Sequence, residues 1–244
     1  MSMGTNSNMW AVVPVKLLAR TKQRLMPFLS CDEREALACA MLDDVLSALT
    51  EAPSLAGVVV VTGDARAAAM AREAGASVLP DADNAGTTAA VTEAARYLVA
   101  TGCEGMLVVP ADVPLITPAD IETIVEVHRA ARSVTLVPAS IDGGTNALAC
   151  SPPDAIPFCF GDDSFRRHRE AARACGIEPQ TLELERVGHD IDRPDDLAAF
   201  LLRASATKSH DYLATNGIAE RLRSSSWIRT ERSPGRTSDS MKIR

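Results

Sequence analysis

Short apolar runs alternate with amphipathic stretches over the first 200 residues of the chain. The runs are rich in Val, Leu and Ile, which is typical of parallel strands that are buried on both faces of a sheet. Glycine and proline residues bound most of them, as expected where a strand ends. The predicted strands are residues 9–15, 57–63, 77–81, 106–110, 134–138, 146–150 and 180–184.

The amphipathic stretches carry apolar residues at helical spacing. Ser30 and Glu33 have the spacing of a capping box ahead of the first helix, and Thr117 with Pro118 is typical of a helix start. Strands that alternate with helices predict an α/β fold, a single domain with a mostly parallel central sheet and helices on both faces. The predicted helices are residues 32–50, 64–74, 87–101, 118–132, 164–175 and one that begins at 194.

The periodic pattern fades after Arg203. We therefore assign residues 9–203 to the domain and residues 204–244 to a basic C-terminal tail, expected to be flexible or loosely attached. The segment 205–244 holds eight Lys or Arg residues against four Asp or Glu, in a chain whose net charge is −7. One short helix at residues 213–222 is the alternative for part of this tail.

Composition excludes several classes of protein. The chain is 46% hydrophobic and 23% charged, which is ordinary for a globular domain. Its acidic body does not favour nucleic-acid binding, and no apolar run is long enough to span a membrane. With a polar N-terminus, these features predict a cytoplasmic protein. The six cysteines contain no C-x-x-C pair, so we expect free thiols and no zinc site.

The first predicted strand ends in a cationic loop. Lys16, Arg20, Lys22 and Arg24 place four positive charges within nine residues. Ligands of open α/β sheets bind at the carboxyl ends of the strands, and Arg and Lys form charge-assisted hydrogen bonds with phosphate oxygens. The loop therefore favours binding of a polyphosphate. The alternative is an ordinary basic surface loop.

Carboxylates follow two other strands. Asp112 lies just beyond the strand 106–110, between two prolines, and Asp190 and Asp192 lie between the last strand and the closing helix. Mg²⁺ commonly binds one or two carboxylates together with phosphate oxygens and waters, so Asp112 with Asp190 or Asp192 is a candidate metal site. The alternatives are a turn for Asp112 and a helix cap for Asp192.

Two further stretches suit an anion. Ser164 opens a helix whose backbone N–H groups, with the hydroxyl, can hold a negative charge, although Ser164 can equally be a simple cap. Thr145 follows two glycines, which allow either close approach to a ligand or a tight turn. The chain has no Walker A sequence, no dinucleotide-binding G-x-G-x-x-G after the first strand and no G-x-S-x-G, which counts against P-loop enzymes, dehydrogenases and α/β-hydrolases.

Together these segments resemble the nucleotidyltransferases with a glycosyltransferase-A-like fold, that is, the nucleotide-diphospho-sugar transferase type. More narrowly, they resemble the CofC/FbiD family, the guanylyltransferases of deazaflavin cofactor biosynthesis. The resemblance covers about residues 9–203. It rests on Val-Pro-Val-Lys (13–16), Lys-x-Arg-Leu (22–25), Leu-Pro-Asp (79–81), Val-Pro-Ala-Asp-Val-Pro-Leu (109–115), Gly-Thr-Asn-Ala-Leu (144–148), Phe-Gly-x-x-Ser-Phe (160–165) and Asp-Ile-Asp-x-Pro-x-Asp-Leu (190–197).

The resemblance implies a Mg²⁺-dependent transfer of GMP from GTP to the phosphate of 2-phospholactate, phosphoenolpyruvate or 3-phosphoglycerate. It implies catalytic roles for Lys16, Arg24 and Asp112, and metal ligation by Asp112, Asp190 and Asp192. Thr145, Gly161 and Ser164 would bind the acceptor. The implied nucleotide-binding residues are Pro14, Val15, Lys16, Lys22, Arg24, Pro80, Gly86, Thr87 and Thr88.

One segment departs from the family pattern. The family has Gly-Leu-Asn-x-Ala where this chain has Gly86-Thr87-Thr88-Ala89-Ala90, so a hydroxyl replaces an amide that is expected near the nucleotide. Alternative functions are a molybdopterin-type or sugar-phosphate nucleotidyltransferase and a non-catalytic nucleotide-binding regulator. Expected partners are GTP and the phospho-acid, a second copy in a homodimer, and a downstream transferase that receives the product.

Overall fold

The structure is a computed structural model of the chain, and it describes residues 8–81, 83–128 and 131–224. One seven-stranded sheet forms the centre of the molecule, with strand order β3-β2-β1-β4-β6-β5-β7. The strands are β1 (Met9–Val15), β2 (Leu55–Thr62), β3 (Ser77–Pro80), β4 (Gly105–Val108), β5 (Ser133–Pro138), β6 (Thr145–Ser151) and β7 (Gln180–Thr181).

The sheet is mostly parallel. β1 pairs in parallel with β2 and β4, β2 with β3, and β5 with β7. β6 is the exception, since it runs antiparallel to both β4 and β5. The turn at residues 142–145 causes this reversal, as the sequence predicted for a hairpin-like pair. Because β6 is reversed, its first residue lies at the same edge of the sheet as the last residues of β1 and β4.

Eight α-helices lie within the described residues. Ser30 and Glu33 form the predicted capping box of the first one, and Thr117 caps the fourth. They are α1 (Cys31–Glu51), α2 (Ala65–Glu73), α3 (Thr87–Ala100), α4 (Pro118–Val127), α5 (Ser164–Ala174), α6 (Pro194–Leu201), α7 (Lys208–Thr215) and α8 (Ile218–Ser224).

Helices cover both faces of the sheet. Ala11 and Val13 of β1 point to one layer of core, which α1, α2, α4 and α6 to α8 complete. Val12 points to the other layer, which contains side chains of α3 and α5. This alternation is the period-2 geometry of a strand. The predicted α/β architecture is therefore confirmed.

Two predicted boundaries differ from the structure by more than two residues. α4 ends at Val127 rather than near residue 132, because the buried ring of His128 turns away to hydrogen-bond with Thr135 and Ser151 of the neighbouring strands. The last strand spans only Gln180–Thr181. Both errors are at element ends, where periodicity carries the least information.

The prediction of a flexible tail from residue 204 was wrong for residues 208–222. α7 packs against α1 and α8 packs against α7, and their side chains Leu213, Ile218 and Leu222 are buried in the main core. The predicted single helix is two helices that meet at Gly217, which has φ of +67°. The prediction for residues 225–244 lies outside the described residues.

None of the helices in the described part of the chain is long and apolar enough to cross a membrane. All six cysteines are free, as predicted.

Candidate active site

A cavity of about 710 Å³ opens at the edge of the sheet where β1 and β4 end and β6 begins. This is the edge at which open α/β sheets bind ligands. It brings together most of the residues that the sequence singled out. They are Pro14, Val15, Lys16, Lys22, Arg24, Thr87, Asp112, Thr145, Gly161, Ser164, Asp190 and Asp192.

Three predicted nucleotide-binding residues do not line this cavity. Pro80 lines a separate depression of about 420 Å³ beside α3. Gly86 is the residue before α3, with φ of +96°, a conformation that favours glycine. The Thr88 hydroxyl accepts a hydrogen bond from the backbone N–H of Phe160 and donates one to its carbonyl oxygen. Of the two threonines in this segment, therefore, only Thr87 faces the cavity.

The cationic loop forms one wall. It folds into two 3₁₀ turns, Leu18–Arg20 and Gln23–Leu25, joined through Lys22, which has a left-handed backbone with φ of 53°. Lys16 is exposed at the mouth. The Lys22 ammonium is buried, 2.7 Å from Asp112 and 3.7 Å from Asp192. A left-handed non-glycine residue costs about 1–3 kcal/mol, so the surrounding contacts hold Lys22 in place.

The charge of Lys22 depends on its acidic neighbours. Burial alone would lower the pKa of Lys22, but the charges of Asp112 and Asp192 outweigh burial and hold that pKa above its ordinary value. Arg24 donates to the other oxygen of Asp192 at 2.6 Å. Asp192 therefore faces two cations of the loop, and the predicted alternative that it caps a helix was wrong. Arg193 is the N-cap of α6, and Asp196 forms the capping hydrogen bonds.

The three aspartates lie on two segments that are joined directly. The backbone N–H of Ile191 donates to the carbonyl oxygen of Asp112 at 3.0 Å, which holds the 190–192 segment beside the turn after β4. Asn146 of β6 donates to Asp190 Oδ1 at 3.0 Å. Burial, together with the charge of Asp112, raises the pKa of Asp190 to about 6. Lys22 and Arg24 thus pair with Asp112 and Asp192, whereas Asp190 is held by an amide.

This donor set fits a magnesium ion that is shared with a phosphate. Among residues 8–81, 83–128 and 131–224, no three His, Cys, Asp or Glu side chains converge closely enough to chelate a metal without another ligand. Mg²⁺ seldom needs such a cage, because it usually keeps waters and takes one or two carboxylates plus substrate phosphates. Asp112 and Asp192 already contact one buried cationic nitrogen, which shows that their oxygens can converge on a cation.

The opposite wall is a corner made of β6 and the start of α5. Gly161, with φ of +114°, lets the backbone turn beneath the cavity. Ser164 is buried and is the first residue of α5 rather than its cap. Its hydroxyl donates to Thr145 Oγ1 at 3.2 Å. Asp163, whose charge would repel an anion here, is turned to an ion pair with Arg166.

Sequence reasoning missed two residues of this region. Asn146 stands within the Gly-Thr-Asn-Ala-Leu motif and holds Asp190, but no role had been inferred for it. His168 hydrogen-bonds to Thr145 from behind the cavity wall. Its place four residues after Ser164 puts the two side chains on one face of a helix, which was the available signal.

A family comparison agrees with this geometry. The model of the family described as "Guanylyl transferase CofC like" matches residues 9–233. The phosphoenolpyruvate guanylyltransferase of Rubrobacter xylanophilus is 39% identical over 191 residues, which cover 78% of this chain and 92% of that protein. The 3-phospho-D-glycerate guanylyltransferase of Colwellia psychrerythraea is 37% identical over 194 residues, covering 80% of this chain and 91% of that protein.

The fold has a solved counterpart as well. A nucleotide-diphospho-sugar transferase-like protein from Desulfovibrio desulfuricans G20 superposes with a TM-score of 0.73 at 17% identity, over 89% of this chain and 97% of its own. At that identity the similarity concerns the fold alone. The family match spans nearly all of the described residues, and this chain belongs to the CofC-like guanylyl transferase family.

Proposed function

We propose that this protein transfers GMP from GTP to the phosphate of a small phosphorylated carboxylic acid and releases pyrophosphate. The observation that carries the proposal is that two opposite walls of one cavity differ in chemistry. The cationic loop and the aspartates suit a metal-bound triphosphate, and the corner at Thr145 and Gly161 suits a smaller anion. The family membership and the named relatives support the same reaction.

In the proposed reaction, an oxygen of the acceptor phosphate attacks the α-phosphorus of GTP. A new P–O bond forms, the bond from the α-phosphorus to the bridging oxygen breaks, and pyrophosphate leaves. The attacking oxygen needs no general base, because a phosphate monoester is already ionised near pH 7. Catalysis then depends on positioning and charge neutralisation. Lys16, Lys22 and Arg24 supply the positive charge along the triphosphate.

Asp112, with Asp190 or Asp192, would hold Mg²⁺. The ion when bound would neutralise phosphate charge that the three cations leave uncompensated. Asn146 fixes the Asp190 side chain, and Arg24 fixes that of Asp192. The carboxylates are thereby oriented by neighbouring side chains, as ligands of metal sites usually are.

The acceptor class follows from the relatives and the resemblance. One relative is named for phosphoenolpyruvate and another for 3-phosphoglycerate, and 2-phospholactate is the third family substrate. All three pair a carboxylate with a phosphate on a three-carbon skeleton. The product would be an activated phosphoanhydride, suited to a downstream transferase of deazaflavin coenzyme synthesis. The six free thiols suit the reducing cytoplasm.

Pyrophosphate release measured with GTP, Mg²⁺ and each acceptor in turn tests the proposal. We expect release with phosphoenolpyruvate or one of the other two acids, and loss of release when EDTA is added. Thr88 stands where the family has its asparagine, and its hydroxyl is hydrogen-bonded to the backbone of Phe160. Because no amide is left at that position, we expect ATP to compete better than a strict guanine pocket would allow. Turnover with a sugar phosphate or a molybdopterin instead would favour the alternative transferases. Binding of GTP without turnover of any acceptor would favour a regulator.

A further inference from the structure

A buried histidine lies behind the acceptor wall of the cavity. His168 is on α5, one turn after Ser164, and its side chain has no exposed surface. Its Nε2 atom is 3.0 Å from the backbone nitrogen of Cys159, and its Nδ1 atom is 3.0 Å from Thr145 Oγ1. The ring also packs edge-on against Phe160, with 4.8 Å between the ring centroids.

These contacts fix the tautomer of the ring. The backbone N–H of Cys159 can only donate, so Nε2 must accept and cannot carry a hydrogen. Burial and the nearby charge of Arg167 lower the pKa of His168 to about 4, so the ring is neutral near pH 7. Its one N–H is therefore on Nδ1, from which it donates to Thr145 Oγ1.

Counting donors and acceptors in the same way fixes the hydrogen-bonding role of the Thr145 hydroxyl. Ser164 also donates to Thr145 Oγ1, at 3.2 Å. A hydroxyl oxygen has two lone pairs and one hydrogen, and the two donors take both lone pairs. Within the described residues no acceptor takes the remaining hydrogen, and Thr145 lines the cavity. Thr145 can then act towards a ligand only as a hydrogen-bond donor.

We propose that His168 is a positioning residue, which together with Ser164 turns the Thr145 hydroxyl so that its hydrogen points at an anionic oxygen of the acceptor. This inference rests on the proposed function, because it names the acceptor as the ligand of this corner. The proposal also gives the hydroxyls of Thr145 and Ser164 different roles. Thr145 donates to the acceptor, whereas the Ser164 hydrogen is already used within the protein.

A double-mutant cycle tests the proposal. His168→Phe keeps a ring but removes both nitrogens, and it should raise the KM of the acceptor while the KM of GTP stays within about twofold. A hydrogen bond to a charged group is worth about 1.5–3 kcal/mol, so the expected rise is about ten- to a hundredfold. Thr145→Val should give a similar rise. Adding His168→Phe to Thr145→Val should then have little further effect, because residues that act through one another are not additive.

A conservative variant provides the rescue. In His168→Asn, the amide nitrogen lies where Nδ1 was and can still donate to Thr145, so the acceptor KM should return most of the way to that of the unmodified protein. The proposal would be overturned if His168→Phe raised the acceptor KM by the same factor in the unmodified protein and in the Thr145→Val variant. So would a parallel rise in the KM of GTP, since that indicates a general structural role. Absence of turnover in the unmodified protein would instead contradict the proposed function.

A measurement on the unmodified chain covers the case in which His168→Phe fails to fold. The ¹⁵N chemical shifts of the imidazole report which nitrogen carries the hydrogen. We expect the Nδ1–H form throughout pH 6–8, although free histidine favours the other tautomer. An Nε2–H form, or a ring that is protonated in this range, would overturn the proposal.

Discussion

Asp112→Asn should lower turnover about a thousandfold or more and leave the fold intact. A carboxylate that holds a catalytic metal contributes several kcal/mol to transition-state stabilisation, and about 4 kcal/mol corresponds to about a thousandfold in rate. Asparagine has nearly the same shape but no charge, so the change isolates the electrostatic role. Turnover at saturating GTP and acceptor, measured over a range of Mg²⁺ concentrations, is the readout.

The fold should survive because Lys22 keeps a second partner. Asp192 is 3.7 Å from the Lys22 ammonium, and the charge of Asp190 also acts on it. The ammonium therefore does not become an isolated buried charge, which would be strongly destabilising. Thermal unfolding of the variant, compared with that of the unmodified protein, checks this point.

Asp142→Asn is the matched control for Asp112→Asn. Asp142 lines the same cavity and is exposed, and its Oδ1 accepts a hydrogen bond from the backbone of Gly144. Asparagine can accept that bond equally well, so this variant loses one negative charge at the cavity and little else. We expect its turnover to fall by less than about tenfold. Near-native activity of Asp112→Asn at limiting Mg²⁺ would show that Asp112 is not a metal ligand.

The sheet and the position of the site were predictable because both depend on local signals. A β-branched run such as Val58 to Val61 strongly favours a buried strand. A charged residue directly after such a run must lie at the edge of the sheet where the strands end. Lys16 and Asp112 were found in this way. Both line the cavity, although they are far apart in the sequence.

Pairings between distant side chains were not predictable. Lys22 and Asp112 are 90 residues apart, and nothing in either segment indicates that the ammonium lies between two aspartates. Thr88 was expected at the nucleotide, but its hydroxyl accepts a hydrogen bond from the backbone N–H of Phe160, which is 72 residues further on. The spacing of His168 from Ser164 places both on one face of a helix, but it does not indicate what either side chain contacts. The role of His168 is visible only when its partners on β6 and before α5 are known.

The C-terminal helices were missed for a different reason. α7 and α8 are only eight and seven residues long, too short for periodicity to stand out among polar residues. Their stability comes from tertiary contacts. The carboxylate of Asp44 on α1 accepts hydrogen bonds from the backbone N–H groups of Lys208 and Ser209, which are donors that the first turn of a helix leaves free.

A chain that ends at Arg203 should therefore be insoluble or lose cooperative unfolding. Leu213 and Ile218 have no exposed surface, and Leu222 retains 4%. Burial of such a side chain is worth about 1.5–3 kcal/mol, so the three together contribute about 5–9 kcal/mol. That is comparable with the whole stability of a typical domain, about 5–15 kcal/mol. Removing them also uncovers the apolar face of α1.

Circular dichroism and thermal unfolding of the chains ending at Arg203 and at Ser224 provide the comparison. The second chain keeps α7 and α8 with their contacts to α1, so it serves as the length control and should unfold cooperatively. A soluble chain ending at Arg203 with an unchanged Tm would contradict the packing of these helices on the core. It would restore the interpretation that the segment after Arg203 is only loosely attached.

Two leucine substitutions separate packing from chain length. Leu213→Ala should cost about 2–5 kcal/mol, which lowers the Tm of a domain of this size by about 4–20 °C. Leu202→Ala makes the same change at a side chain that is 85% exposed, and its effect should stay within about 0.5 kcal/mol. Equal losses of unfolding free energy at the two positions would indicate that α7 stabilises the domain no more than an exposed segment does. A loss confined to Leu213 would establish the C-terminal helices as part of the folding unit.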